Sequence, residues 1–184
     1  MLRILLINEK PQFSTEIRQA LLGGAYLLLE LTASAAVVEE AAKWQADLII
    51  IDCFSPSQAL LQQLNLIDKA KLMFASSKDE QAISHIIKIN VNNYVINGAE
   101  ELTAQMAIAI AHYTQNKELQ QRIALLEQQL ADRKIIDKAK GLLMVKRQLS
   151  EADAYDTLRR QAMKQGLKLG EVARQILLMA DVLG

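Results

Sequence analysis

Two sets of residues in this 184-residue chain have types and spacings that could do chemistry. The first is a set of short polar positions, each following an apolar run. Asn8-Glu9 follows Leu2 to Ile7, and Asp52 follows Asp47 to Ile51. Ser76 follows Lys71 to Phe74, and Asn97 follows Tyr94 to Ile96. Carboxylates at Glu9 and Asp52 suit a divalent cation or phosphoryl chemistry, because Mg²⁺ takes hard oxygen ligands. The second set is cationic. From Arg133 to Arg174 there are eleven basic and five acidic residues, a balance of +6 over 42 residues. That density suits a polyanion partner. On charge alone a solvated helix face would account for it equally well.

Other chemistries find little support. His85 and His112 have no second ligand one helical turn away, so no metal site is expected of them. Gly23-Gly24 is a turn before an apolar run and not a phosphate loop. Cys53 lies inside an apolar run and is expected to be a small buried residue, with no disulfide framework possible. Met144, Met163 and Met179 are expected to fill a helical core. Whole-chain charge is zero, yet residues 1–112 carry −4 and residues 113–184 carry +4. The chain enters directly into ILLIN with no secretory signal pattern, and no apolar run reaches membrane-span length. A cytoplasmic protein without a membrane partner is expected.

The polar positions need elements to hold them. Leu2–Ile7, Tyr26–Leu31, Asp47–Ile51, Lys71–Phe74 and Tyr94–Ile96 each read as a strand. Helical patterns separate them at Phe13–Leu21, Val37–Trp44, Ala59–Leu66 and Glu80–Ile89. Regular strand–helix alternation with short loops predicts an α/β fold with a five-stranded, doubly wound parallel sheet. In such sheets the site lies beyond the carboxyl ends of the strands, where the polar positions fall.

From Ala99 to Lys140 there is neither glycine nor proline. A helix from about Glu101 to Arg147 is expected, roughly 70 Å long at 1.5 Å per residue. Leu119, Ile123, Leu126 and Leu130 alternate spacings of four and three along it, as in a coiled-coil seam. Such a helix needs a partner, most simply a second copy of the chain. Two shorter helices follow. Ser150 and Asp153 fit a capping box, with Leu149 and Ala154 as its staple. Gly166 is placed to end the second helix in a left-handed turn. Tyr155, Leu158 and Ala162 mark that helix's core face. Leu169, Val172, Ala173, Ile176, Leu177 and Ala180 mark the last helix.

Residues 1–112 resemble a response-regulator receiver domain (flavodoxin-like fold). ILLINEK resembles the first strand with its acidic pair, and DLIIIDCFSPS resembles the phosphoacceptor strand. FASS and NNYVING resemble the switch segments. The resemblance implies Asp52 as phosphoacceptor, Asn8 and Glu9 at the acidic positions, and Ser76, Tyr94 and Asn97 at the switch positions. It also implies Mg²⁺ held by Glu9 and Asp52. Two positions depart from the pattern: Asn8 replaces an acid, and Asn97 replaces a lysine. One loss weakens the cation's hold. The other removes a charge-assisted contact to phosphoaspartate.

Residues 133–184 resemble the ANTAR domain, a three-helix RNA-binding module of transcription antiterminators. AKGLLM (Ala139–Met144), SEADAYDTLRRQAM (Ser150–Met163) and KLGEVARQIL (Lys168–Leu177) carry the resemblance in order and spacing. Residues 113–132 form the stalk between the two. The layout resembles the nitrate-assimilation and amidase-operon antiterminators (NasT/AmiR type). It implies a non-enzymatic regulator that binds paired hairpins in leader mRNA and needs no cofactor. It further implies a homodimer and control by a ligand-sensing protein rather than by phosphorylation. The RNA-binding residues expected are Lys138, Lys140, Arg159, Arg160, Lys164 and Lys168. A phosphorylation-gated DNA-binding regulator and a protein–protein adaptor stay open. The last helix, however, carries only Arg174 at its centre, which is poor equipment for a major-groove reader.

Overall fold

A computed structural model describes residues 1–9, 13–33, 36–53, 56–75, 91–96 and 101–183. The expected helix at Glu80–Ile89, together with Ser76, His85 and Asn97, lies outside them. Five strands are seen: β1 (Leu2–Glu9), β2 (Tyr26–Thr32), β3 (Leu48–Cys53), β4 (Ala70–Ala75) and β5 (Asn93–Ile96). They form one sheet in the order β2-β1-β3-β4-β5. Every pairing is parallel. All six residues of β3 are buried, as expected of a central strand covered on both faces.

The pleat sends alternate side chains to opposite faces, and each face has its own core. Leu5, Ile7, Ile49, Ile51 and Met73 pack with Val37 and Ala41 of α2 (Val37–Trp44) and with Leu60 and Leu64 of α3 (Gln58–Asn65). Ile4, Leu6, Leu48, Ile50 and Phe74 pack with Ile17 and Leu21 of α1 (Ser14–Leu21). Leu102, Met106 and Ala109, at the start of α4 (Leu102–Arg147), complete that second core. Their spacing of four and three residues presents one stripe to the sheet.

The chain divides into two compact units, Met1–Glu118 and Leu119–Gly184. Within the first, α4 is tied down by polar contacts as well. His112 Nδ1 lies 2.9 Å from the Asn92 carbonyl. Tyr113 donates its hydroxyl to Asp68, and Lys117 pairs with the Asp68 carboxylate at 2.6 Å. From Glu118 to Ala131 every residue of α4 is exposed. Leu119, Ile123, Leu126 and Leu130 are 45–59% exposed. Among the described residues no helix is long and apolar enough to cross a membrane.

The second unit has its own core. Ala139 and Leu143 of α4 pack with Ala154, Leu158 and Ala162 of α5 (Glu151–Gln165), and with Val172 and Ala173 of α6 (Leu169–Leu183). Ser150 caps α5 as expected: its Oγ accepts from the Asp153 N–H at 3.2 Å and donates to Asp153 Oδ2 at 2.6 Å. Gly166 caps α5 in the left-handed region at φ 65°. Two expectations are corrected here. Tyr155 is not core but 44% exposed, because Ala154, one step round the helix, takes the inward position. Met144, Met163 and Met179 also lie at the surface, Met163 being 73% exposed. Small alanines at the inward positions let the helices approach closely, so short side chains fill this core.

Candidate functional site

The strand-end positions come together, but their polar groups are engaged. Asn8 sits beside Asp52 in the β1–β3 register, and Glu9 sits beside Cys53. Asp52 is fully buried, and its Oδ2 accepts the Phe13 N–H at 2.9 Å. Glu9 Oε2 accepts the Ser57 N–H at 2.8 Å, at the start of α3. Asn8 donates its amide to Glu30, which also pairs with Arg18 at 2.7 Å. Asn8 Oδ1 is buried with no hydrogen-bond partner among the described residues. Tyr94 is half-buried on β5 against the core that holds α2 and α3. Burial pushes the Cys53 thiol up to about 12, with Glu9 and Asp52 adding to the effect. A thiol so poorly ionised is a poor nucleophile.

These groups do not form a ready cation cage. Among the described residues no three His, Cys, Asp or Glu side chains converge as metal ligands. The two carboxylates already serve as acceptors for backbone N–H groups. Each bond engages one carboxylate oxygen, Oδ2 of Asp52 and Oε2 of Glu9. Sequence reasoning missed Glu30 and the Phe13 N–H as partners here. Neither is close in sequence to the group it holds.

The cationic set divides in two. Lys138, Arg159, Arg160, Lys164 and Lys168 are exposed on the second unit. Lys140 is not available in the same way. Its ammonium lies 2.7 Å from Glu151 and 3.1 Å from Asp137, and its side chain is only 17% exposed. The Glu151 hydrogen bond, then that of Asp137, holds its pKa above the ordinary lysine value. Lys140 therefore ties α4 to the first turn of α5. Arg159 and Arg160 line a shallow concavity of about 350 Å³ with Asp153, Asp156 and Met163, so their field is partly offset. Arg174 of α6 is paired with Asp132. A recognition helix would need that cation free for a base edge.

Residues 1–118 and the three-helix unit that follows in sequence match known proteins separately. The sheet matches the receiver domain of a modulated diguanylate cyclase from Desulfovibrio desulfuricans G20. The TM-score is 0.52 at 15% identity, over 63% of this chain and 99% of that one. Residues 124–177 match the ANTAR domain family. A receiver-like fold is thus followed in sequence by a segment that matches the ANTAR domain. The chain is 26% identical over 142 residues to the transcriptional regulatory protein PdtaR of Mycobacterium tuberculosis, over 77% of this chain. The chain spans 59% of the length of that relative. It is also 39% identical over 66 residues to the nitrate regulatory protein of Klebsiella oxytoca, which is 34% of this chain and 17% of that protein.

Proposed function

We propose that this chain is an RNA-binding regulator of transcription antitermination. The observation that carries the proposal is the ANTAR match over residues 124–177, on a unit whose exposed cations include Lys138, Arg159, Arg160, Lys164 and Lys168. Those side chains would neutralise phosphates of hairpins in a leader transcript. Holding the hairpins would prevent a terminator from forming, and no bond is made or broken. No cofactor is needed for this role. The exposed stripe Leu119, Ile123, Leu126 and Leu130 supports a homodimer through the stalk. Two linked modules would engage two hairpins at high effective concentration.

Control by a ligand-sensing protein partner suits the first unit better than control by phosphorylation. The buried Asp52 carboxylate already accepts an N–H, and Asn8 stands where a second acid would help hold a cation. Stoichiometric, Mg²⁺-dependent phosphoryl labelling of Asp52 that sharply raised RNA affinity would sink this part of the proposal.

The main test is binding of the full chain to a tandem-hairpin leader RNA and to duplex DNA of similar length, at two salt concentrations. Arg159→Glu/Lys168→Glu runs beside the wild type, since neither residue holds the core together. RNA preferred over DNA, and lost in the double variant, is the expected result. Equal binding to duplex DNA would favour a DNA-binding regulator. No binding to either would favour a protein adaptor.

A further inference from the structure

The second unit contains a groove that includes none of the six cations expected to contact RNA. Its volume is about 410 Å³, and α4, α5 and α6 all contribute to it. The apolar part is Leu142 and Leu143 of α4 with Ile176, Met179 and Ala180 of α6. Lys146 and Arg147 of α4 and Thr157 and Gln161 of α5 supply the polar part. No lining residue is acidic, in contrast to the Arg159–Arg160 concavity.

The polar groups are available for a ligand. Lys146 and Arg147 are exposed, and neither has an ion-pair partner among the described residues. The contrast with Lys140 and Arg174, both paired, is clear. Gln161 is exposed, and its amide makes no hydrogen bond among the described residues. It can offer one donor and one acceptor side by side. Thr157 Oγ1 donates to the Asp153 carbonyl at 2.7 Å, which leaves its lone pairs free to accept. Helical spacing extends the cationic border. Lys138 lies one turn before Leu142, and Lys164 lies one turn past Gln161.

We propose that this groove takes one unstacked nucleobase from a single-stranded RNA loop, with Gln161 reading its edge and Lys146 and Arg147 holding the flanking phosphates. The inference rests on the RNA-binding proposal and adds the ligand's chemistry to it. Sequence-specific RNA recognition works mostly on splayed loop bases, whose faces want apolar cover and whose edges want hydrogen bonds. Leu142 and Ile176 supply aliphatic cover, and the Met179 thioether is a favourable neighbour for a ring. Carboxamides are suited to bidentate pairing with a base edge. A helix from a second copy would also cover apolar side chains. It would leave Lys146 and Arg147 without counter-charges, whereas a nucleotide brings its own.

The test is selection from a pool of hairpin RNAs with a constant stem and a fully randomised loop, using the full chain. Wild type, Gln161→Leu, Gln161→Glu and Thr157→Val are compared, with thermal melting as the check on folding. The glutamate variant keeps size and helix propensity, so at least one informative variant folds. Wild type is expected to fix one loop position to a single base. The Gln161 variants should relax that preference roughly tenfold, the loss of about 1.4 kcal/mol, while preferences at other positions persist. An abasic residue at that position should weaken wild type more than Gln161→Leu, which has only the apolar cover to lose. Loop preferences unchanged in both Gln161 variants would overturn the groove assignment while leaving RNA binding intact. No enrichment of any hairpin would overturn both. Loss of self-association in the variants without loss of loop preference would assign the groove to a second copy instead.

Discussion

Gly166 closes α5 at φ 65°, and a Cβ added there would meet nothing within 4 Å. The cost of Gly166→Ala is therefore conformational, about 1 kcal/mol of stability. Gln148 occupies the same region at φ 52° just past α4, so Gln148→Gly should be neutral or stabilise by up to about 1 kcal/mol. Urea unfolding of the two variants should shift the midpoint in these senses, and equal shifts would contradict the left-handed caps. Gly170 is a different case. A Cβ there would lie 2.8 Å from Asp132 Oδ1, which Arg174 holds. Gly170→Ala must move that pair. At this scale the sequence was legible where the signal is local: the Ser150–Asp153 cap and the Gly166 turn both follow from a few adjacent residues. It misled at Tyr155, because one step of helical phase separates it from the buried Ala154. Lys140 counted as an RNA contact because its partner Glu151 lies across a turn, where neither charge count nor periodicity looks.

The elements themselves were largely legible. Each strand is a compact apolar run, and each described helix repeats its apolar residues at 3.6-residue spacing. The order β2-β1-β3-β4-β5 is not contained in any such pattern and is seen only in the structure. The corner between α3 and β4 was not foreseen at all. There Lys117 and Tyr113 of α4 hold Asp68. The Lys117 ammonium, with a smaller effect of the Tyr113 hydroxyl, holds the Asp68 carboxyl below its ordinary range. A depressed carboxylate stabilises the fold above its unfolded pKa and ceases to do so as pH falls through its folded pKa. Asp68→Asn should therefore lower the melting temperature at neutral pH, with the difference vanishing in acid. The pair is exposed, so the effect should be small and should shrink in high salt. A difference that persists unchanged in acid would assign the effect to packing. The stalk makes the opposite kind of demand. Leu126→Asp should leave both cores folded, since Leu126 is 45% exposed and belongs to neither. It should abolish self-association in sedimentation equilibrium, and a variant that still dimerises would remove the stalk from the interface.

Taken as a whole the molecule is electrically neutral, with a sequence pI near 6.7. Bulk charge therefore predicts no affinity for a polyanion, and any affinity must come from the local asymmetry. If Lys138, Arg159, Arg160, Lys164 and Lys168 of one module each neutralise a phosphate, log K should fall with log[salt] at a slope of about −4. A slope near zero would mean that the cations are solvated and idle. The charge and the glycine pattern both change near the start of the long helix, while the compact units divide at Glu118. The exposed turns between the units have a further consequence. Residues 118–131 are helical but contribute no buried side chain. A helix of that length held only by its own hydrogen bonds is marginal in water, so it should open far more often than either core. Arg122 lies within it, so trypsin should cut there first and release two folded fragments. A partner strand would close the same turns against the protease. The molecule's lifetime under digestion would then rise with its concentration, making survival itself a gauge of assembly.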